Sequence, residues 1–562
     1  LSLTSPLNQT LSILNFIAMI RPLISLTFIL ATIFGYAQKI PLINSGAVIE
    51  RATQLYDSGS YDKAVEQLLT VSKQDTNYVY MLSELALTYI AQEKYQEAIE
   101  TCDKALVKPT TFRSHLLRSK AIALDKKGDY KASVEVFTKT IEEFPFDFRT
   151  IYNLGITHYN KENYEKAMDC FFRVLEINPY HAGSHFNLSR LSVGMGMKTH
   201  AMMAMGIYLA VNNEDNERLV FIDKVVSNQV DDEGSLIFTT PNSCGKLDQI
   251  IRAKVAMDKN FKSSVPVDAP VVKQYEMFFE QLGSLPETSD DRFLKFYLPI
   301  FKEIKAQNAV VPFMYHILAS ASNEDVKKWR KKNEKELKRF YDIGNSGISA
   351  KRALVTAPAG FKYDVAVQAW YDGNNLESLG KKNAAGKNEG QWYYFNDNYF
   401  RIAEGKFNAE GKKIGIWKYY YPTGVLKSIE NMDTGEVTVF FESGPKSQHF
   451  FLKNDEIDGD VELFFECGGV REKSKYKAGK RHGKGVSYFS SGAKDVEFEY
   501  ADDKLTGEYL SYFENGVLFS KNTFKEDNIV GRYVEYFANG KIKAEGEYVD
   551  GKHTGPWKYY HS

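Results

Sequence analysis

The chain has 562 residues, a formal net charge of −1 and 25% charged residues. That length exceeds what one hydrophobic core organises, so about three units are expected, and the near-neutral balance carries no electrostatic footprint for nucleic acid. The cysteines, Cys102, Cys170, Cys244 and Cys467, stand far apart with no Cys-x-x-Cys pair, which argues against a zinc site or a redox motif. In an oxidising compartment they could pair, and at least two are expected to be buried as small apolar side chains.

The first notable segment is Met19-Ile20-Arg21, followed by an apolar run over 23–34 and by Gly35-Tyr36-Ala37. A positive start, an apolar region and small residues before the break form the pattern of a secretory signal peptide cleaved after Ala37. Export to the periplasm or the cell envelope is therefore expected, with a mature start at Gln38 and an upstream extension at 1–18. The apolar run is short for a membrane span, and Arg21-Pro22 interrupts a longer one.

From about Ser45 the sequence acquires a period of 34 or 35 residues, marked by Tyr61, Tyr95, Tyr130 and Tyr164. Each follows a Gly or polar turn, such as Gly59-Ser60 or Gly128-Asp129. Three residues on comes a small residue (Ala64, Ala98, Ser133, Ala167), and four further a larger one (Leu68, Cys102, Phe137, Phe171). This is the spacing by which one helix packs closely on another. Pro145 and Pro179 stop their helices. With Leu85-Ala86 and Leu154-Gly155 in the first helix of their pairs, these positions resemble tetratricopeptide (TPR) repeats. Four copies are clear, and a fifth over 182–211 keeps Leu188, Ala201 and Met205 but lacks the tyrosine. The resemblance implies an all-α solenoid over 45–213 whose concave face binds peptides or helices of protein partners.

Residues 214–350 show no repeat and are read as a helical spacer or cap. Apolar periodicity predicts helices near 271–282, 290–306 and 324–341, separated by loops with Pro241, Pro266, Pro270 and Pro286. The last helix is expected to be capped by Ser322, with Asp325 at its third position and an apolar stripe of Val326, Trp329, Leu337 and Phe340. Residues 351–384 are read as a connector into a sheet, with 365–371 a first strand or degenerate hairpin.

From 385 to 562 one pattern recurs every 24 residues: Gly435, Gly459, Gly483, Gly507, Gly531 and Gly555 keep that spacing. A second glycine follows nine residues later (Gly444, Gly468, Gly492, Gly516, Gly540), with aromatic pairs such as Phe464-Phe465 and Tyr512-Phe513 between. Earlier copies start at Gly390 and Gly415, at spacings of 25 and 20. Ile542, Ala544, Gly546 and Tyr548 alternate with Lys541, Lys543, Glu545 and Glu547, the period of a strand wet on one face. Asn539-Gly540, Asn515-Gly516 and Ser491-Gly492 are read as tight hairpin turns with positive φ. Asp550-Gly551, Ala478-Gly479 and Asp502-Asp503 are read as the second turn of each repeat. Leu452, Tyr476, Tyr500, Phe524 and Tyr548 hold one strand position and are expected to form a ladder. The short interval predicts one trimmed or bent hairpin. The stretches carrying Tyr476, Gly479, His482, Gly483 and Gly485, and Tyr548, Gly551, His553, Gly555 and Trp557, resemble MORN repeats. More closely they resemble the bacterial MORN-variant repeats of exported proteins and of some proteins labelled antitoxins. That resemblance implies an elongated hairpin sheet that binds partners, sometimes membranes, and no chemistry.

The fold class is thus an α+β multidomain repeat protein, a TPR solenoid followed by a β-hairpin sheet. Met195, Met197, His200, Met202, Met203 and Met205 have the ligand types of a copper(I) site, but Met202 and Met205 fall where the repeat needs buried residues, so core filling is preferred. Lys327, Lys328, Arg330, Lys331, Lys332, Lys335, Lys338 and Arg339 crowd one helix beside Trp329. A face for an anionic membrane competes there with a solvated face carrying pairs such as Glu334–Lys338, and the solvated face is preferred. His482 and His553 have no recurring partner, equivalent positions holding Asp458, Thr506 or Val530, and are read as turn residues. The hairpin aromatics could stack on sugar rings, with core packing preferred. No phosphate loop, nucleophile elbow or His-Glu-x-x-His motif occurs. No catalytic residue, cofactor or metal ligand is assigned, and an enzyme is not expected. The function read from the sequence is a non-enzymatic exported scaffold bridging protein partners in a cell-envelope assembly. The alternative is an envelope glycan- or lipid-binding module acting through the hairpin sheet, while an antitoxin-like role rests on family labels alone.

Overall fold

The structure is a computed structural model and describes residues 44–229, 236, 242–253, 261–286, 290–351, 368–372 and 375–562. The expected upstream extension and signal peptide, with Gln38, lie outside the described residues, as do Pro241 and 365–367.

The N-terminal half is a file of helix pairs: α1 (Ser45–Asp57) with α2 (Tyr61–Leu68), α3 (Tyr78–Ala91) with α4 (Tyr95–Ala105), α5 (Arg113–Lys127) with α6 (Tyr130–Glu143), α7 (Phe148–Asn160) with α8 (Tyr164–Ile177), and α9 (Ala182–Gly194) with α10 (Lys198–Val211). The small residues of the sequence pattern, Ala64, Ala98, Ser133, Ala167 and Ala201, are fully buried, as are Cys102, Phe137, Phe171 and Met205. Gly155 shows why small residues are needed there. A Cβ on it would lie 2.8 Å from the Phe171 ring, so α7 and α8 approach closer than a side chain permits. One residue in the left-handed conformation joins the helices of each pair: Gly59, Glu93, Gly128, Glu162 and Gly196. The same turn recurs at Asn228 after α11 (Asn216–Val226), one helix beyond the fifth pair.

Among the described residues, six further helices follow: α12 (Gly245–Arg252), α13 (Pro270–Gln281), α14 (Arg292–Ala306), α15 (Val310–Ile317), α16 (Glu324–Lys332) and α17 (Glu334–Ser349). They share one core with the last repeat, where Met202, Met203 and Met205 are buried with Tyr275, Phe293, Tyr297, Phe301 and Phe313. The helix expected over 324–341 is two helices, because Asn333 leaves the helical conformation and its side-chain amide donates back to the Trp329 carbonyl at 2.8 Å. The cap of α16 is Asn323, not Ser322. The Asn323 Oδ1 accepts from the Asp325 and Val326 amides at 2.9 and 3.2 Å, and Ser322 lies one residue too early to do so.

The C-terminal half is an antiparallel meander in which each strand pairs with the next along the sequence. Its strands are β1 (Gln368–Asp372), β2 (Asn375–Lys382), β3 (Asn388–Phe395), β4 (Arg401–Phe407), β5 (Lys413–Tyr420), β6 (Leu426–Asn431), β7 (Glu436–Phe440) and β8 (Lys446–Lys453), then β9 (Glu456–Ile457) with β10 (Gly459–Phe464), β11 (Val470–Lys477), β12 (Lys480–Arg481) with β13 (Gly483–Tyr488), β14 (Lys494–Ala501), β15 (Lys504–Tyr512), β16 (Leu518–Lys525), β17 (Asn528–Tyr536), β18 (Ile542–Val549) and β19 (Lys552–Tyr559). The turn chemistry is the reverse of the sequence reading. Two consecutive positive φ angles fall at Ala478-Gly479, Asp502-Asp503, Glu526-Asp527 and Asp550-Gly551, the signature of two-residue type I′ hairpins. In Asn515-Gly516 and Asn539-Gly540 only the glycine has positive φ. These are wider loops in which the Asn side chain accepts the amide two residues on, at 3.1 and 3.0 Å.

Five of the glycines that keep the 24-residue spacing, Gly459 to Gly555, mark bulges. Glu499 pairs with Thr506 but Glu497 with Leu510, so the three residues Gly507-Glu508-Tyr509 stand opposite Phe498 alone. The same step places Gly415-Ile416-Trp417 opposite Gly405 and Gly555-Pro556-Trp557 opposite Gly546. The bulge carries the ring at its third residue over the neighbouring strand: an added Cβ would lie 2.1 Å from Trp392 at Gly380, 2.2 Å from Trp417 at Gly405 and 2.3 Å from Trp557 at Gly546. The large and small residues reverse at Gly485, which receives the Phe498 ring. A transverse file of large beside small residues therefore crosses most of the sheet, interrupted where Phe498 faces Tyr509, and residues of the expected ladder pack beside it, Phe524 on Tyr509 and Tyr548 on Tyr533 and Trp557. In the short copy the step is missing: Ser428, Ile429 and Glu430 pair without shift to Val439, Thr438 and Val437, and Gly435 closes the turn by donating to the Asn431 carbonyl at 2.8 Å. That hairpin is trimmed.

The first hairpins do not stand clear of the solenoid. Leu376, Leu379, Phe395, Tyr399 and Phe400 are buried in one cluster with Phe144, Phe146, Phe148, Ile151, Val174 and Ile177. The solenoid is therefore not closed by its own repeats alone: Phe144 and Phe146 in the loop between α6 and α7, and Phe148 at the head of α7, are buried by the sheet together with Ile151, Val174 and Ile177.

Candidate functional site

The same junction holds a cleft of about 420 Å³ between the inner helices of the second to fourth repeats and the β3–β4 turn. Glu84 of α3, His115 and Arg118 of α5, Asp147 and Arg149 at the head of α7, and Asp397 to Tyr399 of the sheet are among its lining. Asp147 caps α7. Its Oδ1 accepts from the Arg149 and Thr150 amides at 3.1 and 3.3 Å, and its Oδ2 from Ser114 Oγ at 2.7 Å, Thr150 Oγ1 at 2.6 Å and Arg118 Nη1 at 2.9 Å. Burial pushes this carboxyl up, but Arg118 and the two hydroxyls outweigh that and hold it below the usual range. The carboxylate is saturated, whereas Arg118 gives it one of five N–H groups. Burial draws the Arg118 pKa down against the pull of Asp147.

Around this pair stand groups with capacity to spare. Arg149 is exposed and rests on the Phe148 ring, 4.9 Å from its centroid. His115 shares a 2.5 Å hydrogen bond between Nδ1 and Ser83 Oγ, and burial with the two arginines lowers its pKa to about 4, so it is neutral at pH 7. Tyr399 is 5% exposed, and its hydroxyl is buried without a well-formed hydrogen bond. Burial pushes that phenol up to about 12 against the pull of Arg149. Its backbone is in the left-handed region, φ 62°. Tyr399 stands nine residues after Gly390, where later copies carry Gly424, Gly444 or Gly468. Asn396 forces the turn, its Oδ1 accepting from the Asn398 and Phe400 amides at 3.0 Å. A bulky side chain in that conformation costs about 1–2 kcal/mol, and the missing glycine was the one sign of it in the sequence.

The other singled-out residues lie elsewhere. The methionines Met202, Met203 and Met205 are core, and His200 Nε2 bonds the buried Asp291 at 2.7 Å, joining α10 to α14. Among the described residues no group of three His, Cys, Asp or Glu gathers as metal ligands, and no helix is long and apolar enough to cross a membrane. Trp329 is stacked on Tyr315 at 4.0 Å, so the basic helices present lysines without an apolar anchor. His482 sits at the break between β12 and β13, while His553 belongs to β19, stacked 4.1 Å from Trp557, and is not a turn residue. Cys102 and Cys244 are buried, Cys467 is exposed, and the four cysteines are unpaired. The rings of Phe498, Tyr509, Tyr533 and Trp557 lie on one sheet face and are half-buried.

The tetratricopeptide repeat family matches residues 49–111 and 148–181, and the MORN repeat variant matches 413–433, 505–526 and 529–550. The latter three are the hairpins β5–β6, β15–β16 and β17–β18. Comparison with curated protein sequences gave no significant match. Similar solved structures include MamA from Desulfovibrio magneticus RS-1, 20% identical over 33% of this protein and 96% of its own length, with a TM-score of 0.24. Another is YrrB, described as a TPR protein with an unusual peptide-binding site, 18% identical over 32% of this protein and 90% of its own length, TM-score 0.24. Helix pairs packed through buried small residues, followed by hairpins stepped at each glycine, are what these repeat families prescribe: the protein carries tetratricopeptide repeats in its helical half and MORN-variant repeats in its sheet.

Proposed function

We propose that the protein is a non-enzymatic scaffold exported to the cell envelope, which holds a segment of a protein partner in the inner groove of its solenoid. The observation that carries this reading is the cleft at the solenoid–sheet junction, whose arginines and tyrosine keep donors unspent while the structural carboxylate beside them is fully bonded. Repeat solenoids present such grooves to extended peptides. Export rests on the sequence at 19–37. The sheet offers a second surface, so that two partners are brought together on one molecule. A glycan- or lipid-binding sheet is the second reading, favoured by the half-buried ring face. The test is selection of random short peptides on the full-length protein and on Thr111→Trp, which fills the cleft from its rim. The scaffold reading expects peptides that bind the native protein and lose about tenfold or more on the variant. Equal binding to both, or no peptide enriched, overturns it.

A further inference from the structure

The ring face of the sheet changes character along its length. Through β7 to β10 the file carries Val437, Phe450 and Val461, which with Leu463 form a buried cluster. From β15 to β19 it carries Tyr509, Asn522, Tyr533, Gly546 and Trp557, with no aliphatic side chain among them. Among the described residues no helix packs on these last strands. We propose that this stretch binds a neutral, extended, β-linked polysaccharide whose sugar rings stack on Tyr509, Tyr533 and Trp557. The inference rests on the second reading given above, a sheet that binds glycan or lipid, and adds which of the two is bound and where.

The rings form two platforms. Tyr509 packs on Phe524 at 5.2 Å, while Tyr533, Tyr548 and Trp557 lie within 5.4–5.7 Å of one another. All five are half-buried, so each keeps part of its surface in solvent. Tyr509 and Tyr533 stand on β15 and β17, two strand separations or about 9–10 Å apart, and Asn522 lies between them in the file. In an extended β-linked chain each sugar is turned over relative to the last, so alternate sugars present the same apolar C–H face after a comparable advance. One such sugar then rests on each platform, with the intervening one over Asn522. The polar groups point the same way. Asn522 is 6% exposed and its Oδ1 is buried without a partner. The Trp392 and Trp417 indoles donate to the Lys381 and Lys406 carbonyls at 3.2 Å, but Trp557, at the same place in the file, keeps a buried Nε1 unbonded. An acceptor and a donor are thus left open among the rings, each a standing cost. Sugar hydroxyls donate and accept and so meet both, whereas an acyl chain meets neither. Glu535 and Lys543, beside the file, bond each other at 2.7 Å, so neither charge is spare for a phosphate or an acidic sugar.

The test titrates cellohexaose, chitohexaose and xylohexaose, labelled at the reducing end, into the full-length protein and follows fluorescence anisotropy. Maltohexaose, whose α-links coil the chain, and vesicles of phosphatidylcholine with phosphatidylglycerol are the comparisons. The main variant combines Tyr509→Val with Asn522→Ser, because Val461 and Ser474 hold these two facing places in an earlier copy and the sheet accommodates them there. At least one β-linked hexasaccharide should bind, with maltohexaose weaker by about tenfold or more, and the double variant should lose about tenfold or more while its protease resistance is unchanged. Asn522→Ser alone should weaken binding by about threefold or more without lowering the melting temperature; a merely structural Asn522 would move the melt and leave the titration as it was. Should the double variant lose protease resistance, the single variant decides. Equal affinity of the folded double variant, or of maltohexaose, overturns the proposal. Vesicle binding without any hexasaccharide binding also overturns it while leaving a lipid-binding sheet, and binding of neither removes both readings of the sheet.

Discussion

Gly405→Ala isolates the packing principle of the sheet. The residue lies in β4 outside the left-handed region, so its backbone accepts alanine; in open space such a change stabilises by about 0.4–1 kcal/mol through the unfolded state. Here the new Cβ would stand 2.2 Å from Cδ2 of Trp417, a ring that is 1% exposed and donates its Nε1 to the Lys406 carbonyl at 3.2 Å. The ring must lift. Overpacking of a filled site costs about 1–3 kcal/mol, and loss of the indole hydrogen bond about 0.5–1.5 more, so a net loss of about 1–4 kcal/mol is expected. Hydrogen exchange across β4 to β6 reads this directly, as opening faster by about 5-fold to 1,000-fold. Trp417→Val in the same background should recover much of the loss, since Val437 and Val461 hold the equivalent place in later copies. A neutral or stabilising Gly405→Ala, with unchanged exchange, refutes the idea that bulge rings sit on strand glycines.

Acid should weaken the helical half. His115, His181 and His316 have pKa values lowered to about 4 and His185 to about 3, all by burial first. Between about pH 6.5 and 4 the unfolded state binds protons that the native state refuses, so stability is full above that window and falls as pH drops through it; a urea midpoint that is flat from pH 7 to pH 4.5 contradicts this. Phe400→Ala removes a ring that meets Phe144 edge-on at 4.9 Å in the junction cluster; about 3–5 kcal/mol is expected, with calorimetry resolving separate sheet and solenoid transitions, and a single unshifted transition would count against the shared core. Deleting 483–506 removes one repeat and brings Tyr509 beside Ser474, large beside small, so a soluble, protease-resistant sheet should remain. Removing one residue fewer shifts a strand by one and turns its inward rings to solvent, and equal protease resistance of the two deletions would be the contrary result.

Repeat periods made the architecture readable before any coordinate. Ala64, Ala98, Ser133 and Ala167 announced the helix contacts because a close approach tolerates few residue types, and the glycines from Gly435 to Gly555 announced the hairpins for the same reason. What those glycines do was not readable. A glycine tolerates turn and bulge alike, and only the pairing of Glu497 with Leu510 separates the two. Asn-Gly was misassigned because its local preference suits a two-residue turn, whereas the strand register puts that turn at Asp502-Asp503. The junction cleft was invisible for a different reason. Arg118 and Asp147 lie far from Tyr399 in the sequence, the three carry no motif, and they meet only because Phe144 to Phe148 need covering. The sole local trace was an absence, the glycine missing at 399.

The large-and-small file across the sheet also limits how such an array can change its length. Within nearly every repeat the two members of the file already match each other: Trp392 with Gly405, Gly485 with Phe498, Tyr533 with Gly546. A repeat laid down twice in succession would meet its own twin across a seam that fits. A repeat moved to a new address need not. The copy that ends in Phe498, set before Trp557, would bring ring to ring, as the native seam with Tyr509 does at the cost of the match, and the copy that opens with Gly485, set after Gly546, would leave a hole. Lengthening by tandem copying keeps the seam matched, and shuffling keeps it only at some addresses, so the order of its hairpins is itself inherited information.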